Sequence, residues 1–276
     1  MNEIDFALLA SIVADQGLMA IEETRLARSF AARAAAAPAA EAPATIALIP
    51  VSGMLLGRSV SSYFGTIAGQ DALRARIATA AADSNVGSIV LYTDSPGGTV
   101  AGTAETAATV RQAAQVKPVV AVVDSIAASA AYWIISGASE IVLAPNAEVG
   151  SIGIMAMHLD QSRMMDRVGV TATIITSSQY KAERSPFAPL SEEARAALKA
   201  SVDEADTSFV ADVALGRRTT PAAVAADFGR GRMVGADQAV RLGMADRVST
   251  LTETIARLAA GTGPQRRARR SALAFV

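Results

Sequence analysis

At 276 residues the chain is long enough for one large domain or two small ones. It is 51% hydrophobic and 18% charged, as expected of a well-buried globular protein, and its net charge of −1 gives no electrostatic case for a nucleic-acid partner. With no cysteine and one histidine, His158, the chain has no disulfide, no thiol nucleophile and too few ligands for a histidine-based zinc site.

Residues 1–36 read as helical. The apolar stretch from Phe6 to Ile21 is interrupted by Asp15 and Gln16 and lacks a basic flank. It therefore reads as an amphipathic docking helix, not as a signal peptide or a membrane anchor. Two prolines make 37–44 a linker, so 1–44 forms an N-terminal helical extension. The main domain is expected over 45–250. Residues 251–276 form the end of a helix and a basic tail, Arg266-Arg267-Ala268-Arg269-Arg270.

From Thr45 onward, short continuous apolar runs alternate with helical segments. Strands are predicted at 46–51, 88–92, 119–123, 140–143, 152–157 and 171–176. Helices are predicted at 68–82, 103–116, 129–137 and 160–168. This is the grammar of an α/β fold with a mainly parallel sheet covered on both faces. A long helix follows over 191–215, capped by Ser191, favoured by Glu192 and Glu193 at its start and stopped by Gly216. Thr220-Pro221 opens another helix and Ala236 a third. The long helix carries Val202, Ala205, Phe209 and Val213 at helical spacing, a stripe suited either to its own domain or to a neighbouring copy.

Four segments carry chemistry. Asp94-Ser95-Pro96-Gly97-Gly98 lies between a predicted strand and a helix, where paired glycines let the backbone approach a ligand or simply make a tight turn. Ser129 sits among Ala127, Ala128, Ala130 and Ala131 at a predicted helix start, whose N-terminus favours developing negative charge. Alone, such a serine is ordinary packing, and Ser125 competes with it from the strand-to-helix bend. Gly150-Ser151-Ile152-Gly153 places another hydroxyl at a strand entry, able to orient a base or to sit in a turn. Lys181 follows an apolar segment and precedes the proline-broken 185–190. A lysine acts as a base only when neutral, which burial promotes, and Tyr180, Phe187 and Leu190 are the candidate cover. The bland alternative is an exposed loop lysine. His158 is the other candidate base.

In this order, Asp94 to Gly98, Ala128-Ser129-Ala130-Ala131-Tyr132, Gly150 to Gly153, Tyr180-Lys181 and the closing Ala239 to Arg247 resemble the signal peptide peptidase A family of Ser-Lys peptidases. Within it the chain is most similar to the head maturation proteases of tailed phages. The resemblance implies a Clp protease/crotonase-type fold and acyl transfer by Ser129 with Lys181 as base. Gly98 and Ala130 N–H groups would hold the oxyanion, with Gly97 and Ser151 in support. It implies no cofactor and no metal, a protein or peptide substrate such as a scaffold or portal protein, and a cytoplasmic or prohead location. It also implies a homo-oligomeric ring with the site near or across a subunit boundary. Because the sequence ends soon after the last motif, any scaffold segment is expected on another chain. Two rivals are a non-proteolytic assembly protein of the same fold and a crotonase-like thioester enzyme. The second needs paired carboxylates near the glycines, where the sequence shows Asp94 alone.

Overall fold

The computed structural model describes residues 45–62, 65–67 and 69–264. The expected N-terminal helix and linker and the basic tail lie outside them.

In chain order the elements are β1 (Thr45–Leu55), β2 (Val60–Ser62), β3 (Gly65–Ile67), α1 (Gln70–Ala82), β4 (Val86–Gly98), α2 (Thr103–Val116), β5 (Val119–Ala128), α3 (Ala130–Ser136), β6 (Glu140–Leu143) and β7 (Glu148–Gly150). After a long excursion holding only α4 (Ser162–Arg167) come α5 (Glu192–Arg217), α6 (Pro221–Asp227), β8 (Met233–Gly235), α7 (Ala236–Arg241), β9 (Arg247–Val248) and α8 (Leu251–Ala259). The main sheet runs β1-β4-β5-β6-β9, with all four pairings parallel. Past the end of β6, β7 pairs parallel with β5 and antiparallel with β8.

The continuous apolar runs have the expected cause. Ile89, Leu91, Ala121, Val123, Ile141 and Leu143 belong to the large core that also holds α1, α2, α3 and α5 side chains. On the other face, Val90, Val120, Val122 and Val142 are packed against Leu251 and Leu258 of α8. Both faces are therefore dry, and alternation disappears from the sequence. Among the described residues no helix is long and apolar enough to cross a membrane.

Helix α3 is buried at every position. Trp133 stacks on Phe209 of α5 at 4.5 Å, and its Nε1 donates to Asp212 Oδ2 at 2.7 Å. Asp212 is also paired with Arg111 of α2 at 2.9 Å, so two flanking helices grip α3. The stripe on α5 thus serves its own domain: Phe209 and Val213 are fully buried. Gly216 does not stop α5, which runs to Arg217 and ends on Arg218 at φ 58°. A Cβ on Gly216 would stand 2.2 Å from the Ser136 carbonyl oxygen, so glycine there allows α5 to approach α3. The caps at Ser191 and Thr220 form as expected, accepting from Ala194 and Ala223 N–H groups.

Two predicted strands are absent. Residues 152–157 and 171–176 are irregular, and Met155, Met157 and Ile175 are 95%, 79% and 92% exposed. Their apolar runs look like buried strands, but the described chain offers no edge or helix to cover them.

Candidate active site

β5 leads directly into α3, and the joint is Ser129. Its backbone has φ 53° and ψ −122°, a region that a residue with a Cβ rarely occupies. Holding it there costs on the order of 1–3 kcal/mol. Three contacts fix it: its N–H donates to the Gly150 carbonyl at 2.8 Å, its carbonyl accepts from Trp133 N–H at 3.0 Å, and Gly97 presses against it. A Cβ on Gly97 would lie 2.7 Å from the Ala128 carbonyl oxygen, 2.9 Å from Ser129 Cβ and 3.0 Å from Ala130 N. The sharp turn lifts the hydroxyl out of a buried strand and leaves Ser129 half-buried between two buried alanines, Ala128 and Ala130. Ala130 N–H opens α3 beside it.

The paired glycines are not a turn between strand and helix. β4 runs through them, pairing Met54 with Gly97 and Leu55 with Gly98. Ser95 sets the bend: its Oγ donates to the Gly53 carbonyl at 2.6 Å and accepts from Gly97 N–H at 3.1 Å. Thr99 N–H donates to the Leu55 carbonyl at 2.9 Å. Gly97 N–H is already engaged by Ser95. A Cβ on Gly98 would lie 1.9 Å from the Leu55 carbonyl oxygen, which only glycine avoids.

Ser151 follows the residue that accepts from Ser129. It too has a positive φ, 51°, and its N–H donates to the Arg232 carbonyl at 3.1 Å. Gly97, Gly98, Ser129, Ala130 and Ser151 are thus gathered at the ends of β4, β5 and β7. Among the described residues, neither the Ser129 nor the Ser151 hydroxyl makes a hydrogen bond.

Lys181 lies elsewhere in character. It is exposed in the excursion, and among the described residues its amine has no hydrogen bond or ion pair. The expected cover does not form within the chain: Tyr180 and Phe187 are 52% and 41% exposed, and Tyr180 Oη instead donates to Glu193 Oε1 at 2.7 Å. His158 stays in the excursion, where its Nε2 hydrogen-bonds the Ala188 carbonyl at 3.2 Å. Ser125 sits in the bulge of β5 and donates to Asp94 Oδ1.

One acid escaped the sequence reading. Burial, together with a hydrogen bond to Asp124 and the charges of Asp124 and Asp94, pushes the Tyr92 phenol up to about 12. Asp124 therefore shares a neighbourhood with Asp94, on the edge of the Val90 face by strand alternation. The parallel register of β4 and β5, Thr93 against Val123, sets these two carboxylates side by side, and nothing in the local sequence signals it.

Comparison with known proteins places this architecture. The Capsid assembly protease C of Escherichia phage lambda is 33% identical over 170 residues, 61% of this chain and 38% of that protein. The Head-tail preconnector protein GP5 of Enterobacteria phage P21 is 33% identical over 171 residues, 62% of this chain and 34% of that protein. The chain thus spans little more than a third of the length of these relatives. Among solved structures, the 1510-N membrane-bound stomatin-specific protease matches with a TM-score of 0.50 at 18% identity, covering 79% of this chain and 86% of that one. The α/β sheet described above is accordingly of the Clp protease/crotonase type. Peptidase family S49 matches residues 111–264, more than half of the chain, from the middle of α2 past α8. The chain belongs to Peptidase family S49 and is similar to a phage capsid assembly protease.

Proposed function

We propose that the chain is a serine endopeptidase in which Ser129 is the nucleophile and Lys181 the base. The observation that carries this reading is the strained Ser129 backbone, clasped between Gly97 and Gly150 with Ala130 N–H beside it. Strain held at one half-buried hydroxyl, at the N-terminus of a fully buried helix, is what a pre-positioned nucleophile requires.

The neutral Lys181 amine takes the Ser129 proton as Oγ bonds to the scissile carbonyl carbon. The electron pair displaced onto the carbonyl oxygen is stabilised by Gly98 and Ala130 N–H groups. Lysine returns the proton to the leaving nitrogen as the C–N bond breaks, and water then repeats the sequence on the acyl-enzyme. Ser151 orients the amine. The chain's kinship with the lambda and P21 proteins supports a capsid or scaffold protein as substrate and a prohead as the place of action.

The amine must reach Ser129 and lose water around it, and the apolar excursion must be covered. A second copy of the chain meets both needs at once, so the active form is a homo-oligomer with Lys181 docked near or across a subunit boundary. The exposed Met155, Met157 and Ile175 support this reading.

The bare surroundings of Lys181 also favour one rival, a catalytically silent assembly protein of the same fold. A fluorophosphonate probe separates the two. The wild type should be labelled at Ser129 and lose peptidase activity, while Ser129→Ala should be inactive and unlabelled yet folded. An unlabelled wild type, or an active Ser129→Ala, overturns the assignment.

A further inference from the structure

Gln70 is the first residue of α1, a position that is ordinarily solvated, yet it has no exposed surface. All its polar atoms are engaged. The backbone N–H donates to the Leu56 carbonyl at 2.8 Å. Nε2 donates to Thr103 Oγ1 at 3.0 Å and to the Thr99 carbonyl at 3.3 Å, and Oε1 accepts from Thr106 Oγ1 at 3.1 Å. Burying an amide is costly unless it is satisfied, and helix propensity gives no reason to place one here.

Its partners say what it holds. Thr99 follows Gly98 directly, and Thr99, Val100 and Ala101 are exposed, so apolar packing does not fix them. Thr99 is instead pinned from two sides. Its N–H donates to Leu55, and its carbonyl accepts from Gln70 Nε2 and, at 2.8 Å, from Thr103 Oγ1. One turn on, Thr106 Oγ1 and Arg74 reach the Gly102 carbonyl at 2.7 and 3.2 Å. The loop that follows Gly98 is therefore anchored underneath by one amide that supplies two donors and one acceptor. Glutamate lacks the donors and leucine lacks both.

We propose that Gln70 is a positioning residue for the oxyanion site: through Thr99 and Thr103 it holds Gly98 N–H at the height of the reacting carbonyl. The inference rests on Ser129 being the nucleophile and Gly98 N–H an oxyanion donor. It differs from a purely structural role in what it predicts. A donor displaced by about 1 Å weakens transition-state binding far more than ground-state binding and costs up to about 100-fold in rate.

The test is steady-state peptide hydrolysis and the rate of fluorophosphonate labelling for full-length Gln70→Leu, Thr103→Val, the double variant and Ser129→Ala. Gln70→Leu should lower kcat and labelling rate together by roughly 10- to 100-fold, with KM within about twofold. Thr103→Val should give a smaller loss of the same kind. The double variant should lose more kcat than Gln70→Leu, because the Thr99 carbonyl then loses both side-chain donors. A folded Gln70→Leu with wild-type kcat, or a loss confined to KM, would each overturn the proposal. If Gln70→Leu does not fold, Thr103→Val decides alone: a kcat loss upholds the proposal and a wild-type kcat overturns it. An active Ser129→Ala would instead locate the failure in the nucleophile assignment.

Discussion

Two segments carry the proposed chemistry, and they are built in opposite ways. The Ser129 side is assembled from β4, β5, β7 and α3, with the Ser129 backbone bonded at both its N–H and its carbonyl in a strained conformation. The Lys181 side belongs to the irregular stretch after β7, where large apolar side chains face outward. The proposed nucleophile is held by the sheet, whereas the proposed base lies on a segment that the described residues leave uncovered. If the proposed roles hold, activity depends on what covers that segment.

The largest effect should come from the base. Lys181→Ala and Lys181→Arg are expected to be equally inactive, because a guanidinium does not give up its proton at working pH. His158→Ala should keep most activity. The comparison is sharpened by mixing Ser129→Ala and Lys181→Ala subunits under conditions that allow exchange. Recovered activity means that serine and lysine come from different copies. Mixed oligomers that stay inactive mean that each pair forms within one chain, and a monomeric wild type in light scattering removes the covering copy altogether.

The next effect lies on the sheet side. Gly98→Val should reduce kcat by about 100-fold or more, because a Cβ must push against the Leu55 backbone and turn the N–H away from its target. Activity assays paired with thermal denaturation separate a displaced donor from an unfolded chain. A folded, fully active Gly98→Val would take the glycine pair out of the mechanism.

The same contrast marks how far the sequence could be read. The parallel strands and the caps of α5 and α6 were legible because local chemistry alone determines them. So was the serine at the start of α3, where small residues flank a break between two apolar runs. At 152–157 and 171–176 the reading fails, since periodicity reports apolarity but not which surface covers it. The glycine pair was legible as a close approach and misread as a turn, because its partner, Leu55, is distant in sequence. Gln70 and Asp124 left no local signal. Their surroundings arise when α1 meets α2 and when β5 pairs with β4, which are tertiary events.

The smallest predicted effect probes the strain itself. Ser129→Ala keeps a Cβ in the same backbone conformation and should change stability little, because the Ser129 side chain makes no capping hydrogen bond. Ser129→Gly removes the Cβ that the conformation penalises. The strain released is on the order of 1–3 kcal/mol, and the added freedom of glycine in the unfolded chain takes back about 0.4–1 kcal/mol. A net gain of about 1 kcal/mol should remain, equivalent to about 2–4 °C in Tm for a domain of this size. Measured at one protein concentration, so that assembly does not contribute, Ser129→Gly should therefore be inactive yet more stable than Ser129→Ala. Glycine less stable than alanine would mean that the contacts around Ser129 hold a relaxed backbone, and the serine half of the site would lose its claim to stored strain.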